Sequence, residues 1–229
     1  MKFAPTPEEI ADIYAGAYQR VTALATDFDE ADLAVVVPGT PRWTLHGLMS
    51  HLVGGPVDFA NGRVEGAGGE PWTQQQVDDR VDRSLDELLE EWAGVLPGVD
   101  AAVRSGNVPA PVSFDILTHE SDIRGALGLD PTPDAAGVRF LTDGFGARAV
   151  AVARKAELPP LRLCASDTGW SAGVDGGVTA TATEHEWTRA LTGRRSNAQV
   201  SAYDWTGDPS PYLPLLSPFG PLRDADVRE

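Results

Sequence analysis

The chain is poor in cysteine and in long apolar segments, and each shortage excludes a class of protein. Cys164 is the single cysteine among 229 residues, so an internal disulfide cannot form. No apolar run approaches the roughly 20 residues that a membrane-spanning helix needs. The first ten residues lack the charged-then-apolar pattern of an export signal. We therefore expect a cytoplasmic protein with no membrane partner.

Positive charge is also scarce. The sequence has 18 basic against 34 acidic residues, for a formal net charge of −16. Nucleic acids and anionic membranes bind cationic surfaces, so we expect neither as a partner. An anionic substrate would need a local group of arginines, because Lys2 and Lys155 are the only lysines. The 42% hydrophobic content supports a substantial core, and the length suggests two domains.

Capping residues and apolar stripes predict helices over the first two thirds of the chain. A capping box at Thr6 starts a helix that should run to about Thr26, and Thr44 can cap a second helix. The third helix is predicted from a capping box at Thr73, with the stripe Val77, Val81, Leu85, Leu88, Trp92 and Val95. The fourth should run from about Ser113 to Gly128, and a fifth, connecting helix from about Pro133 to Ala156.

From Leu161 onward the pattern changes to short β-prone segments, LRLCA, TGWSAG and GVTATAT, separated by turns. Glu184 to Thr192 is predicted as a helix, AQVSAYDW as a strand, and the proline-rich tail as irregular. A domain boundary is predicted near residue 157. The sequence thus predicts an α+β fold, with a four-helix bundle and its connecting helix in residues 1–157 and a small α/β domain in 158–229.

Polar residues interrupt two of the predicted apolar stripes. Asp115 and His119 are four residues apart on the fourth helix, so they share one face. His51 follows Leu48 by three residues on the second helix and should also face inward. Bundles commonly build metal sites from inward side chains on facing helices. Two imidazoles and one carboxylate leave at least one coordination position open, which is typical of a catalytic site.

The chain resembles the mycothiol-dependent maleylpyruvate isomerase family in several blocks between Trp43 and Pro221. These are WTLHGLMSHLVG, WTQQQVDDR followed by SLDELLEEWA, DILTHESDIRGALG, and RALTGRRSNAQVSAYDWTGDPSPYL with FGP after it. The resemblance implies a DinB-like metal-binding four-helix bundle followed by a small C-terminal domain of sterol-carrier type.

The resemblance also implies a divalent metal, most often zinc, held by His51, Asp115 and His119, with mycothiol as the thiol cofactor. Family isomerases carry Glu where this chain has Asp115, which would shift the ion or the metal preference. They commonly have an acidic residue where this chain has His46. In the family, mycothiol thiolate adds to the cis double bond of maleylpyruvate, the new single bond rotates, and elimination gives the trans product. A relative that stops after addition would be a thiol S-transferase acting on a small electrophile.

Further polar residues are candidates for catalysis or substrate binding. Asp122 could accept the second N–H of a ligand imidazole, or it could pair with Arg124 or Arg80. Arg80 and Arg194 lie in family-matched blocks, and we predict catalytic roles for both and for Asp122. The remaining arginine candidates, as ligands for a substrate or cofactor carboxylate, are Arg83, Arg124 and Arg195.

Two other functions fit the same residues. Two histidines and a carboxylate also describe the iron site of non-haem oxygenases, although those enzymes are usually β-barrels. The bundle could instead bind a ligand without catalysis, with His51 as an ordinary buried histidine. The substrate cannot be identified from any motif. The oligomeric state is open, and a homodimer is one option.

Overall fold

A computed structural model of the protein describes residues 3–107 and 111–229. Contacts between Cα atoms divide the chain into a unit of Pro5–Asp130 and a unit formed mainly by Pro131–Arg228. The boundary predicted near residue 157 lies after the helix Ala135–Lys155, which packs with the C-terminal unit. That boundary stays a prediction, and we call the two parts the helical unit and the C-terminal unit.

The described residues of the helical unit form four long helices and two short ones. Its elements are α1 (Pro7–Ala25), α2 (Glu30–Leu33), α3 (Leu45–Ala60), α4 (Glu70–Asp78), α5 (Leu85–Arg104) and α6 (Pro111–Ala126). Thr6 and Ser84 form capping boxes at the starts of α1 and α5, and the Thr44 hydroxyl caps α3. Helices α1, α3, α5 and α6 pack as a four-helix bundle, and α4 lies against α3.

Two polar contacts set the register of α1 against α6. The Ser113 hydroxyl donates to the carbonyl of Ile10 at 2.9 Å, and Arg20 pairs with the fully buried Glu120 at 2.8 Å. Both contacts pair increasing residue numbers on the two helices, so α1 and α6 run in the same direction. Tyr14 therefore lies level with the turn of α6 that carries Asp115.

The prediction of one continuous third helix is wrong, because the structure has two separate helices there. The chain leaves the helical conformation after Asp78 and starts α5 at Leu85, where Ser84 supplies a cap that was not recognised in the sequence. Thr73 lies inside α4 and its hydroxyl bonds to the carbonyl of Glu70, so it is not a cap. Val81 falls in the break and is 67% exposed. An apolar period alone cannot reveal such a break, because the residues on either side keep the same spacing.

The C-terminal unit combines α7 (Ala135–Lys155) with a four-stranded sheet. Its strands are β1 (Leu161–Ala165), β2 (Ser171–Gly173), β3 (Val178–Ala182) and β4 (Asp204–Trp205), in the order β2-β1-β3-β4. Strands β1 and β3 are parallel, and the other two pairs are antiparallel. Helix α8 (Glu184–Leu191) matches its prediction. The described chain thus has the predicted α+β class.

The segment AQVSAYDW is largely not a strand. Asn197–Ser201 forms the short helix α9, because Ser196 and Gln199 make a capping box before it. Only Asp204–Trp205 at the end of the segment joins the sheet, as β4. In the proline-rich tail, Leu213–Leu215 forms one 3₁₀ turn. Among the described residues, no helix combines the length and apolar character required to cross a bilayer.

Because of the break between α4 and α5, substitutions at two positions of one apolar stripe should differ strongly in their effect on stability. Leu88→Ala removes a fully buried side chain and should lower the free energy of unfolding by about 2–5 kcal/mol. Val81→Ala alters an exposed position and should change it by no more than about 0.5 kcal/mol. Urea denaturation of both variants measures the difference. Equal losses would show that Val81 belongs to the core.

Candidate metal centre

Three side chains from two helices converge in the helical unit. His51 projects from α3, while Asp115 and His119 project from consecutive turns of α6. One ligand atom of each lies within 4.8 Å of the other two. Asp115 Oδ1 lies 3.4 Å from His51 Nε2 and 3.5 Å from His119 Nε2. Within residues 3–107 and 111–229, no other group of three such ligating side chains meets this criterion.

These separations fit a shared cation better than direct hydrogen bonds. N–H···O bonds in proteins usually measure about 2.9–3.0 Å, so 3.4 and 3.5 Å are long for them. Two donors that each lie about 2.1 Å from a tetrahedral ion are about 3.4 Å apart. The distance from the carboxylate oxygen to each imidazole nitrogen therefore matches the distance between two ligands of one small tetrahedral cation.

Exposure differs sharply among the three side chains. His51 and His119 are 4% and 8% exposed, whereas the side chain of Asp115 is 45% exposed. The imidazoles thus form the closed side of the centre, and the carboxylate stands where solvent reaches it. A small molecule would approach the centre from the side of Asp115.

The outer nitrogen of each imidazole has its own hydrogen-bond partner. His119 Nδ1 lies 2.9 Å from Oδ2 of the fully buried Asp122, and His51 Nδ1 lies 2.7 Å from Oε1 of Gln76. Both partners are oxygens, so both rings can carry hydrogen on Nδ1 and direct the lone pair of Nε2 inward. This is the ring orientation found in metal-binding histidines, whose outer N–H is held by an oxygen.

Asp122 in turn is enclosed by the loop before α3. A Cβ built on Gly39 would lie 2.1 Å from Asp122 Oδ1, so only glycine allows this close approach. Of the two alternatives raised for Asp122, the structure displays the contact with a ligand imidazole.

The electrostatics of the centre favour a negative carboxylate beside a positive imidazole. The partial desolvation of Asp115 by itself would raise its pKa, but His51 and His119 outweigh this effect and hold that pKa well below its usual range. Burial would lower the pKa of His119, but the carboxylates of Asp115 and Asp122 outweigh it and raise that pKa. The arrangement thus attracts positive charge to the space between the three side chains.

Tyr14 and Trp92 form a buried pair at the same level of the bundle. Trp92 Nε1 donates to the Tyr14 hydroxyl at 3.0 Å, and both residues are at most 3% exposed. Burial, with a further contribution from the Asp115 carboxylate, raises the pKa of Tyr14 above its usual range. The hydroxyl therefore stays protonated near the centre. Tyr14 was not singled out from the sequence, because a tyrosine on a core stripe has no distinctive spacing.

The arginines predicted in the helical unit lie in different surroundings. Arg80 is 4% exposed and makes two hydrogen bonds of 2.9 Å to Glu91, while its third nitrogen donates to the carbonyl of Gln76. Arg124 donates to Glu120 and to the carbonyl of Asp130. Arg80 thus supports the residue beside His51. The catalytic role of Arg80 and the substrate-binding role of Arg124 stay predictions.

Arg83 lies in the break between α4 and α5 and is exposed. Its carbonyl accepts a hydrogen bond of 2.7 Å from His46 Nε2. His46 therefore has a partner away from the three ligating side chains. The substrate-binding role of Arg83 stays a prediction.

Arg194 and Arg195 belong to the C-terminal unit, in the turn between α8 and α9. Both are buried, at 8% and 7% exposure. Arg195 makes two hydrogen bonds to Glu186, at 2.7 and 2.8 Å, and Arg194 donates to the carbonyl of Thr192. Their predicted roles toward a substrate stay predictions.

Two residues that complete the surroundings of His51 were missed from the sequence. Gln76 accepts from the His51 ring, and Asp58 accepts from Gln76 at 2.8 Å. One signal for Asp58 was available, because it follows His51 by seven residues and so lies on the same face of α3. Gln76 was mistaken for part of a helix cap.

The comparisons with known proteins agree with this architecture. A crystal structure of the mycothiol-dependent maleylpyruvate isomerase superposes with a TM-score of 0.57 at 14% identity, covering 88% of this chain and 93% of that one. A histidine-to-alanine mutant of that enzyme matches with the same score and coverage at 13% identity. This likeness shows a shared fold. A search of curated proteins found no match.

The family comparison concerns the helical unit. Residues 14–113 match the family model described as "Mycothiol maleylpyruvate isomerase N-terminal domain". The matched range includes His51, Asp58 and Gln76 and ends just before Asp115. The resemblance read from the sequence is thereby confirmed for residues 14–113.

Proposed function

We propose that the protein is a metal-dependent enzyme that uses a low-molecular-weight thiol, mycothiol, to act on a small electrophile. The observation that carries the proposal is the convergence of His51 Nε2 and His119 Nε2 on Asp115 Oδ1, at 3.4 and 3.5 Å. The family supports a mycothiol-dependent, isomerase-like protein. Zinc is the metal we propose, because two imidazoles and a carboxylate with an open position form a common catalytic zinc site.

Each residue of the centre has a defined task in this proposal. His51 and His119 present neutral Nε2 atoms, and Asp115 contributes the negative charge that a divalent ion requires. A bound ion supplies the charge that lowers the pKa of a coordinating thiol, so that the nucleophilic thiolate exists near neutral pH. Tyr14, kept protonated by burial, is a hydrogen-bond donor at the same level of the bundle. Buried walls around the imidazoles exclude water from one side of the centre.

Two reaction outcomes follow from the same first step. The thiolate sulfur forms a C–S bond with the electrophile, and the displaced electron pair moves to an oxygen or takes up a proton. If the C–S bond then breaks after rotation, the product is a cis-trans isomer and the thiol is regenerated. If the bond remains, the product is a thiol adduct. Arg83, Arg124 and Arg195 remain the proposed contacts for a substrate or cofactor carboxylate. Arg80, Asp122 and Arg194 remain the proposed catalytic residues.

The metal assignment predicts a selective loss of binding. His51→Gln, Asp115→Asn and His119→Gln should each weaken zinc binding by more than about 100-fold, since loss of an outer partner alone costs about 10–100-fold. Titration against a fluorescent zinc chelator measures the affinity. His46→Gln and His185→Gln are the matched controls and should bind as tightly as the unmodified protein. Equal weakening by the controls would contradict the site.

Metal analysis of protein purified without added metal separates zinc from iron. Because the same donor set serves non-haem iron enzymes, stoichiometric iron would favour that alternative. Stoichiometric zinc, lost in His51→Gln, supports the proposal.

Proton release gives a second measurement of the centre. Ligand imidazoles must be neutral, and the raised pKa of His119 means that its proton persists above the ordinary value of about 6.5. Zinc affinity should therefore rise with pH through the range in which His119 loses its proton, and the number of protons released per ion should fall over the same range. Asp115 is ionised throughout this range and adds no proton.

Calorimetry in two buffers of different ionisation enthalpy, repeated at several pH values, counts these protons. His185→Gln should give the same count as the unmodified protein. A count of zero near neutral pH and below would contradict the predicted charge state of His119.

The thiol requirement is tested by product analysis. The zinc-loaded protein is incubated with mycothiol and a panel of cis-enones, epoxides and chlorinated quinones, and products are identified by chromatography and mass spectrometry. We expect a product that requires both the thiol and His51. An isomer of unchanged mass indicates an isomerase, and an adduct indicates an S-transferase. A zinc-loaded protein that forms no thiol-dependent product would instead be a ligand-binding bundle.

A further inference from the structure

Three side chains link the protein surface to the outer nitrogen of the His51 ring. Arg63, which is 56% exposed, donates to Asp58 Oδ1 through Nη2 at 2.6 Å and Nε at 2.8 Å. Asp58 Oδ2 accepts from Gln76 Nε2 at 2.8 Å, and Gln76 Oε1 lies 2.7 Å from His51 Nδ1. We refer to Arg63, Asp58 and Gln76 as the relay.

The chemistry of the relay allows one direction of hydrogen bonding. An ionised carboxylate can only accept hydrogen bonds, so the end of Gln76 that faces Asp58 must be its NH₂ group. The opposite end of the amide is then its oxygen, which can only accept. His51 must therefore carry its hydrogen on Nδ1, and its Nε2 is left as a lone pair directed at Asp115.

Burial makes this arrangement strict. Gln76 is 1% exposed, His51 3% and Asp58 7%, so water cannot readily replace a lost partner. A reversed amide would set its oxygen against the Asp58 carboxylate and its NH₂ against the His51 ring. The contact with Asp58 would then place two acceptor oxygens against each other, which costs about 1–3 kcal/mol for each buried group left without a donor.

The position of Gln76 is held as firmly as its direction. A Cβ built on Gly54 would lie 2.5 Å from the Gln76 Cβ, so α3 and α4 approach closely at this level. Arg80 donates to the Gln76 carbonyl at 3.2 Å and is itself paired with Glu91. The Gln76 side chain therefore reaches His51 from a fixed backbone.

We propose that Gln76 is a positioning residue for His51, and that the Asp58–Arg63 ion pair sets the direction of its amide. The relay keeps Nε2 of His51 free of hydrogen before any metal arrives. The two imidazoles consequently differ, since His119 faces a carboxylate at each ring nitrogen and His51 faces one carboxylate and one neutral amide. The consequence for metal binding rests on the proposed function, but the tautomer of His51 does not.

The direct test is the tautomer of His51 in the metal-free protein. Two-bond ¹H–¹⁵N correlation spectra of protein labelled with ¹⁵N-histidine, recorded with chelator at mildly alkaline pH, distinguish the Nδ1–H from the Nε2–H form. The chain has four histidines, and His51→Gln assigns the signal. We expect His51 in the Nδ1–H form. Any other state of His51 in the unmodified protein would overturn the proposal.

Gln76→Met removes the acceptor while preserving the length of the side chain. With Asp115 Oδ1 then the remaining acceptor beside the ring, His51 should change to the Nε2–H form. Gln75→Met is the matched control, because Gln75 is exposed and pairs with Asp79, and it should leave His51 unchanged. An Nδ1–H signal that persists in folded Gln76→Met would overturn the proposal.

Two further variants keep the test decisive if Gln76→Met fails to fold. Asp58→Asn does not touch His51, but the amide introduced at position 58 can either accept or donate. Both directions of the Gln76 amide then become available, and a mixture of His51 tautomers should appear. In Gln76→Glu/Asp58→Asn the carboxylate and amide exchange places. The carboxylate now at position 76 still accepts from His51, so the Nδ1–H form should return.

Two results with these variants would contradict the relay. One is a pure Nδ1–H form of His51 in Asp58→Asn, which would show that the carboxylate does not set the direction of the amide. The other is an Nε2–H form in the double variant, which would show that an acceptor at position 76 does not hold the His51 hydrogen.

Zinc titration then links the relay to the centre. Gln76→Met should bind zinc about 10–100-fold more weakly, and Gln76→Glu/Asp58→Asn should recover most of that affinity. The proposed function and the proposed role of the relay are contradicted by different results. If the unmodified protein does not bind zinc, the proposed function is wrong while the tautomer result still decides the relay. If zinc binds equally well to Gln76→Met, the proposed role of the relay in metal binding is wrong.

Discussion

The orientation of two buried imidazoles is the constraint on which the rest of the centre depends. A histidine ring can direct a free lone pair inward only if its other nitrogen gives its hydrogen to an oxygen. His51 meets this condition through Gln76 and His119 through Asp122. Since each partner is buried, each must itself be held by further contacts. Those contacts involve three helices and the loop before α3.

The break in the predicted third helix lets α4 and α5 take separate places beside this centre. A continuous helix through residues 73–95 would fix the positions of Gln76 and Trp92 relative to each other. With the break at residues 79–84, α4 packs closely on α3 at Gly54, while α5 enters the bundle core. Gln76 can then reach His51 from one side, and Trp92 can reach Tyr14 from another. The same break exposes Val81, so an apolar residue is left on the surface.

The acidic composition and the ion pairs of the helical unit are connected. The chain has 34 acidic against 18 basic residues, so arginines are few. Several of them nevertheless form ion pairs with buried carboxylates of this unit. Glu120 is paired with Arg20 and Arg124, and Asp58 with Arg63. A buried carboxylate needs such a partner, because desolvation of an unpaired charge costs several kcal/mol. Asp115 differs from these carboxylates because it faces the imidazoles of His51 and His119, the arrangement expected of a ligand for a cation.

Local sequence determined much of this protein, including the capped starts of α1 and α3, the strands β1 and β3, and the i,i+4 spacing of Asp115 and His119. These features depend on neighbours within about one helical turn or one strand, so residue spacing reveals them. Only the tertiary structure decided that His51 meets that pair and that Gln76 and Asp58 contact the outer side of the His51 ring. Contacts between residues 25–64 positions apart depend on how helices pack, and packing is set by shape and burial across the whole unit rather than by any local period.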